Sequence, residues 1–175
     1  PPPATAQVSV ALSPAPAIQL LDGASNAAPQ SGTVVTVTVI SGSVTLGNAT
    51  ATTTISGMAT FGSLTMTAVT GNYTLRFSAP GLGVLDAPAP TALAAGPATQ
   101  LAIITQPSVG GAVATALATQ PVLQLRDVAG NPAPQANVTV TATVVSGSVA
   151  IANGTATTNA SGLATFSGLA LSAVT

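Results

Sequence analysis

Charged side chains are scarce in this sequence, and histidine, cysteine, tryptophan, lysine and glutamate do not occur in it at all. Charged residues make up 3% of the chain, whereas a typical soluble domain carries roughly 25%. Without an imidazole or a thiol, the chain lacks the usual general base, the usual strong nucleophile and the usual ligands of zinc, copper and iron. Three scattered aspartates do not predict a catalytic carboxylate pair. We therefore expect a protein that is not an enzyme and that carries no cofactor and no metal.

The composition also excludes two classes of partner. The formal net charge is −1, with two arginines as the only cationic side chains, so the sequence predicts no basic surface for a nucleic acid backbone. The mean hydropathy is high, at +0.63. However, the longest aliphatic runs, such as residues 101–104, are far shorter than the roughly 20 residues of a spanning helix. We expect neither nucleic acid binding nor a membrane span in this chain.

The strongest positive signal is an internal repeat. Residues 41–44 (Ser-Gly-Ser-Val) recur as residues 146–149, at an offset of 105 residues. The same offset, without a gap, aligns residues 1–70 with residues 106–175 and gives 35 identities in 70 positions. A period near 105 is too long for a solenoid unit and matches one immunoglobulin-like sandwich of about 100 residues.

Alternating side chains predict that the repeat is built of β-strands. Valine alternates with threonine in residues 34–39, and Tyr73, Leu75 and Phe77 alternate with polar residues. This period of two is typical of strands with one buried face. The predicted strands are residues 6–12, 16–22, 33–41, 43–46, 49–55, 58–66, 72–79 and 84–94 in the first copy, and 99–105, 120–127, 137–146, 148–152, 155–159 and 163–172 in the second.

Four segments of the sequence resemble bacterial immunoglobulin-like repeats of the invasin/intimin type. They are residues 71–81 (GNYTLRFSAPG), 97–103 (PATQLAI), 124–132 (QLRDVAGNP) and 156–166 (ATTNASGLATF). The resemblance spans nearly the whole chain. It implies an all-β fold of tandem immunoglobulin-like Greek-key β-sandwiches, export to the cell surface and a repetitive parent protein or polymer.

Two domains are predicted, residues 1–96 and residues 97–175, with the second one incomplete within this chain. Residues 71–105 have no counterpart in the second copy, which is therefore predicted to lack its last two strands. One of these strands is central, and its loss would expose apolar side chains and unpaired backbone groups. Two explanations stay open. The sequence is a window from a longer tandem array, or strands from a neighbouring subunit fill the gap by donor-strand complementation.

Five of the seven asparagines lie in Asn-X-Ser/Thr sequons, which predict covalent glycans at these positions. Sugars at such sites would replace charge as the groups that keep the protein soluble. A sequence rich in threonine also forms sequons by chance, and both explanations stay open. The candidate residues are Asn48, Asn72, Asn137, Asn153 and Asn159.

Five further residues are predicted to be structural. Asp22 and Asp127 occupy equivalent places before turns, where one carboxylate is too little for a calcium site and is typical of an Asx-type turn cap. Tyr73 resembles a tyrosine corner, whose hydroxyl bonds back to the backbone. Phe61 and Phe166, which occupy equivalent positions in the two copies, are predicted core residues.

These observations predict an architectural, extracellular protein. The favoured hypothesis is a structural component of an extracellular filament or cell-surface fibre, with copies of itself or neighbouring repeats as partners. Its domains would join end to end, with strand complementation as one route. A second hypothesis is the stalk repeat of a bacterial adhesin whose binding tip lies outside this chain. A third is a carbohydrate- or protein-binding module.

Overall fold

A computed structural model describes residues 1–173 of the chain, which form β-strands, turns and connecting segments. The predicted all-β fold class is thereby confirmed, because no helix occurs in that part of the chain. In particular, the described residues contain no helix long and apolar enough to cross a membrane. The chain divides into two compact units, Pro1–Gly96 and Pro97–Thr175.

The first unit is an immunoglobulin-like sandwich with a complete central sheet. Its strands are β1 (Thr5–Gln7), β2 (Ala17–Gln19), β3 (Val34–Val39), β4 (Thr45–Gly47), β5 (Thr50–Thr52), β6 (Met58–Thr60), β7 (Thr65–Thr67), β8 (Gly71–Tyr73), β9 (Leu75–Ser78), β10 (Val84–Asp86) and β11 (Thr91–Ala94).

The pairing of these strands is non-sequential, as in a Greek key. One sheet has the order β10-β9-β3-β5 and another the order β1-β11-β8, with the pairs β2-β6 and β4-β7 beside them. Strand β3 pairs antiparallel with β9, which follows it by about 40 residues in the sequence. Strands β1 and β11 pair in parallel, so the first and last strands of the unit lie side by side.

Alternation places one face of each central strand in the core of the first unit. In β9, Leu75 and Phe77 are buried while Arg76 between them is half-buried. In β3, Val35 and Val37 are buried in the same way. The ring of Phe77 lies 5.6 Å from the ring of Phe61, in the tilted arrangement that aromatic pairs favour.

The second unit repeats much of this plan. Its strands are β12 (Gln100–Thr105), β13 (Val122–Arg126), β14 (Thr139–Thr141), β15 (Val149–Ala152), β16 (Thr155–Thr157), β17 (Leu163–Thr165) and β18 (Ala170–Ala173). They form one sheet of order β12-β13-β17 and the pairs β14-β16 and β15-β18. A core cluster consists of Val140, Ala156, Ala164, Phe166 and Leu169.

Several predicted strands are divided in the structure. The window 58–66 splits into β6, which pairs with β2, and β7, which pairs with β4, because the chain changes sheets after Phe61. The window 163–172 splits into β17 and β18 in the same way. The window 84–94 is interrupted by Pro88 and Pro90, which have no N–H to give to a ladder. The window 137–146 is shortened to β14.

Candidate functional site

The two units share a frame of turn hydrogen bonds, and this frame allows their positions to be compared one by one. The buried Thr53 hydroxyl donates to the carbonyl of Gln30 over 2.7 Å. Thr158, which is 105 residues later and equally buried, donates to the carbonyl of Gln135 over 2.7 Å. These turn hydrogen bonds therefore recur at the offset of 105 residues. Where equivalent side chains differ in exposure, the cause lies in the strands packed around them.

The largest difference between the units lies at the strand β14. In the first unit, β3 is hydrogen-bonded on both edges, to β5 on one side and to β9 on the other. Its counterpart β14 pairs with β16, the counterpart of β5. Within residues 1–173 no strand occupies the other edge of β14. An unpaired edge of this kind is a template for a further strand.

An apolar cavity of about 530 Å³ opens in the second unit next to this strand. We call it the groove. It falls within the size range of binding sites in proteins, about 300–1,000 Å³. Its apolar lining includes Leu117, Ala142, Val144, Ile151, Leu169 and Leu171.

The first unit shows what fills the equivalent place. There Val37 is paired with Phe77 and Val39 with Leu75 across the β3–β9 ladder. The positions 105 residues after Val37 and Val39 are Ala142 and Val144, which line the groove. By this equivalence, the groove corresponds to the space that the side chains of β9 fill in the first unit.

Side chains around the groove are more exposed than their counterparts in the first unit. Met66 is 0% exposed in the first unit, whereas the equivalent Leu171 is 41% exposed. Away from the groove the units agree, since Phe61 and Phe166 are both 2% exposed. The predicted absence of the last strands from the second unit therefore has a local effect on one side of that unit.

A second open edge, which the sequence analysis did not predict, lies in the first unit. Strand β13 is flanked by β12 and β17. Its counterpart β2 pairs with β6, the counterpart of β17, and with no other strand of residues 1–173. A cavity of about 290 Å³ lies beside β2, lined by Ile18, Leu20, Leu21, Val35, Phe77 and Leu85 among others. The signal was present in the sequence, because residues 97–105 precede the second copy and have no counterpart before the first.

Asp22 and Asp127 both cap turns with their carboxylates. Asp22 Oδ1 accepts hydrogen bonds from the N–H groups of Asn26 (2.8 Å) and Ala24 (2.9 Å). These bonds, with the larger contribution from Asn26, lower the pKa of Asp22. Asp127 Oδ1 accepts equivalent bonds, including one of 2.9 Å from the N–H of Asn131.

The two aspartates differ in exposure, since Asp22 is exposed and Asp127 is 0% exposed. We attribute this difference in exposure to strand β12. It runs beside β13 as far as Arg126, the residue before Asp127. In the described part of the chain, no group of three acidic, histidine or cysteine side chains is placed to hold a metal ion.

All four aromatic side chains are buried. The hydroxyl of Tyr73 donates to the carbonyl of Val69 over 2.9 Å and so ties the end of β8 to the preceding turn. Phe61, Phe77 and Phe166 lie in the cores of their units. No aromatic ring is therefore presented to solvent for stacking on a sugar.

The five sequon asparagines are all exposed, but three of them use their amides in turns. Asn48 Nδ2 donates to the carbonyl of Ser63, and Asn153 Nδ2 donates to that of Gly168, each over 2.9 Å. Asn159 Oδ1 accepts from two backbone N–H groups. A glycan at these three sites would have to replace part of the turn network.

The other two sequon asparagines have more accessible positions. Asn72 lies in β8, and Asn137 lies in a turn with a φ angle of 64°. Glycosylation stays a prediction, and these two residues are its better acceptors because their side chains cap no turn in the described structure.

The described ion pair lies on the outer face of the first unit. Arg76 Nε donates to Asp86 Oδ1 over 2.6 Å and an Arg76 terminal nitrogen donates to Asp86 Oδ2 over 2.9 Å. The hydrogen bonds from Arg76 lower the pKa of Asp86. Because both side chains are substantially exposed, at 39% and 44%, solvent screens the pair and we expect it to add little to the stability of the unit.

Compared with known proteins, the chain matches no protein-family model and no curated protein. Among solved structures it is similar to one described as the "D0-D1 domain of Intimin", with 20% sequence identity. The alignment covers 98% of this chain and 82% of that chain, with a TM-score of 0.37. The fold assignment itself stands on the strand pairing described above, and this chain is a tandem pair of immunoglobulin-like β-sandwich units.

Proposed function

We propose that this chain is a structural segment of an extracellular filament or cell-surface fibre, whose immunoglobulin-like units join end to end and carry tension. The observation that supports this most directly is the parallel pairing of β1 with β11 in the first unit. It is reinforced by hydrogen bonds from the N–H of Ala92 to the carbonyl of Ala4 (2.9 Å) and from the N–H of Val8 to the carbonyl of Ala94 (3.0 Å).

Parallel pairing determines how the unit responds to a pull on its two ends. The start of β1 and the end of β11 lie at opposite ends of the shared ladder. Tension between the residues that flank the unit therefore slides one strand along the other. Sliding loads the ladder bonds together, whereas a hairpin pulled from its open end would lose them one at a time. The geometry suits a module that must stay folded under load.

The surface composition supports an assembled state over a free one. The chain carries five charged residues among 175 and a net charge of −1, while soluble monomers generally need a net charge well away from zero to avoid association. Exposed threonine side chains take the place of charge on several strands, among them β5, β14 and β16. Neighbouring copies or covalent glycans would cover such a surface.

Single-molecule pulling of the intact chain in a linear concatemer tests the proposal. We expect the first unit to unfold in one high-force step. Ala92→Pro removes the N–H that bonds to Ala4 and should lower that force markedly. A matched control is Val84→Pro in the edge strand β10, which pairs with β9 and lies outside the β1–β11 ladder.

The two variants together decide the outcome. The control should lower the thermal stability of the unit and leave most of the unfolding force in place. Two results would contradict the proposal that this unit carries tension. One is an equal loss of unfolding force in both variants, and the other is a wild-type unit that unfolds at the same force as the Ala92→Pro variant.

The stalk of an adhesin would carry tension through the same parallel pairing of β1 with β11. A parent chain that ends in a distinct terminal domain would favour a stalk over a filament. A carbohydrate-binding module receives no support, because the aromatic residues are all in the cores.

A further inference from the structure

We infer that Asn72 is the main site of covalent N-glycosylation in this chain, with a sugar activated through a diphosphate as the donor. Such a sugar is independent of how the units carry tension, so the inference goes beyond the proposed function. Four of the five sequon asparagines have a structural reason to be asparagine, and Asn72 has none within the described residues.

Asn48 and Asn153 are the same turn residue in the two copies, since they lie 105 residues apart. Both have a left-handed backbone, with φ angles of 54° and 52°, which asparagine tolerates better than most residues. Their Nδ2 atoms donate over 2.9 Å to the carbonyls of Ser63 and Gly168, which are again 105 residues apart. The repeated turn therefore accounts for asparagine at both positions.

Asn159 and Asn137 are explained by their local backbone. Asn159 Oδ1 accepts hydrogen bonds from the N–H groups of Ser161 (2.9 Å) and Leu163 (3.1 Å) and so caps a turn. Asn137 has a φ angle of 64°, and its counterpart in the first copy, Gly32, has a φ angle of 83°. Glycine and asparagine adopt this conformation most readily, so the turn alone accounts for Asn137.

Asn72 has neither of these reasons. It lies in the middle of β8, where it pairs with Ala92 of β11, and its φ angle is not in the left-handed region. Its exposed side chain makes no hydrogen bond within the described residues. Asparagine is depleted in strands, so an exposed, unbonded asparagine in a strand indicates a role outside the fold.

The strand presents the sequon to solvent. Tyr73, the middle residue, is buried, and its hydroxyl donates to the carbonyl of Val69 over 2.9 Å. Successive side chains of a strand point to opposite faces, so Asn72 is exposed on the outer face, and Thr74 after Tyr73 is half-buried. The Thr74 hydroxyl makes no hydrogen bond within the described residues. Both groups that define the sequon are therefore free.

The surroundings of Asn72 leave room for a sugar. In the β1-β11-β8 sheet, Asn72 stands beside Ala92, and Ala92 stands beside Thr5. The row next to the Asn72 amide thus consists of small side chains. A sugar on Nδ2 would lie over the outer face of β11 without breaking the ladder, and it would add polar surface to a chain with five charged residues.

The transfer is a substitution at the anomeric carbon of the donor. Asn72 Nδ2 forms a bond to this carbon and gives up one proton to a basic group of the transferase. The bond from the carbon to the diphosphate oxygen breaks, and the diphosphate leaves with the electron pair. A lipid-linked oligosaccharide and a nucleotide-linked monosaccharide both supply such a carbon.

Mass spectrometry of the chain isolated from the cells that produce it tests the inference. Trypsin cuts the denatured chain after Arg76 and Arg126, which separates Asn72 and Asn48 from the other three sequons. We expect a sugar on the fragment that ends at Arg76, localised to Asn72 by fragmentation, and little on the fragment that begins at Asp127. A single sugar residue would identify the nucleotide-linked donor, and a longer glycan would identify the lipid-linked donor.

Matched variants made in the same cells assign the site. Thr74→Val removes the sequon hydroxyl and should abolish the added mass, whereas Thr74→Ser keeps a hydroxyl and should retain most of it. Asn72→Gln, which leaves Thr74 in place, should have the same effect as Thr74→Val. Thr50→Val removes the sequon of Asn48 in the same tryptic fragment and should leave the added mass unchanged.

Thermal melts of the chain produced without glycosylation test the structural reasons. Asn48→Ala and Asn153→Ala should each lower the Tm of their unit, because the left-handed turn and its hydrogen bond are lost. Asn137→Gly should leave the Tm nearly unchanged, since the first copy has glycine there. Asn72→Thr should keep or raise the Tm, because threonine suits an exposed strand position better than asparagine does.

Three outcomes would overturn the inference. They are an Asn72 that carries no sugar in the chain from its own cells, equal occupancy at any of the other four sequons, and a loss of stability in Asn72→Thr. None of them bears on the force measurement, which uses the unmodified chain and depends on the β1–β11 ladder. Failure of this site and failure of the proposal that the unit carries tension can thus be told apart.

Discussion

The two units of this chain share half of their aligned residues, yet the same side chain is buried in one and exposed in the other. Val8 is 0% exposed and its counterpart Val113 is 68% exposed. In the opposite sense, Asp22 is exposed and Asp127 is fully buried. Strand β11 covers Val8 in the first unit, and strand β12 lies beside β13, just before Asp127, in the second. In the described residues, β11 has no counterpart in the second unit and β12 has none in the first. Burial in this repeat is therefore set by neighbouring strands more than by the local sequence.

The comparison also shows which features the two units share within the described residues. The hydrogen-bonded turns and the cluster around Phe166 persist in the second unit. The losses are confined to the side of the groove, where Leu171 and Val113 are uncovered. We expect the second unit to be the less stable of the two, and the following predictions test how far the difference extends.

The largest effect is expected from a matched pair in the cores. Phe61→Ala should destabilise the first unit by about 3–5 kcal/mol, since it removes a buried ring that also contacts Phe77. Phe166→Ala should cost about 1 kcal/mol less, because no aromatic pair is lost with the ring. Urea titration followed by NMR signals of each unit measures both values. A larger loss of unfolding free energy at Phe166 than at Phe61 would mean that the core of the second unit is packed at least as tightly as that of the first.

A second pair tests the cover supplied by β11. Val8→Ala should destabilise the first unit by about 2 kcal/mol, because it leaves a small cavity under a buried strand. Val113→Ala, at the equivalent exposed position, should change stability by no more than about 0.5 kcal/mol. The same titration provides both numbers. A loss at Val113→Ala as large as that at Val8→Ala would contradict the role of β11 as the cover of Val8.

The smallest effect concerns the exposed turn cap of the first unit. Hydrogen bonds from Asn26 and Ala24 lower the pKa of Asp22 below its ordinary value of 3.8. The carboxylate therefore stabilises the folded unit above that pH, and this contribution is lost as the pH falls through the lowered folded pKa. Asp22→Asn should remove part of the acid sensitivity of the first unit below about pH 4. Thermal melts between pH 2 and pH 7, with Asp86→Asn as the matched comparison, provide the check; superimposable profiles for wild type and Asp22→Asn would exclude this role for the cap.

Much of the fold could be predicted from the sequence, because its signals are local and repeated. The alternation in residues 34–39 and 73–78 indicated the central strands, and the offset of 105 indicated the sandwich period. The gap in the second copy could be predicted for the same reason, since an ungapped alignment shows which segment has no counterpart.

Other features depend on strand partners, which a single sequence does not display. The break of residues 58–66 into β6 and β7 arises where the chain leaves one sheet for another at Phe61. The open edge beside β2 depends on residues 97–105, which supply β12 as the partner of β13 in the second unit and have no counterpart before the first copy in this sequence. The burial of Asp127 needs knowledge that β12 lies beside β13.

The placement of the two arginines has a practical consequence for studying the units separately. Arg76 lies in β9, in the centre of the first unit, and Arg126 ends β13 in the second, and the chain contains no lysine. Trypsin must hold its substrate as an open, extended chain, so it can cut after either arginine only when that strand has left its sheet. The rate of each cut then reports how often one particular sheet opens. The two cleavage rates therefore report separately on the opening of the first unit and of the second unit.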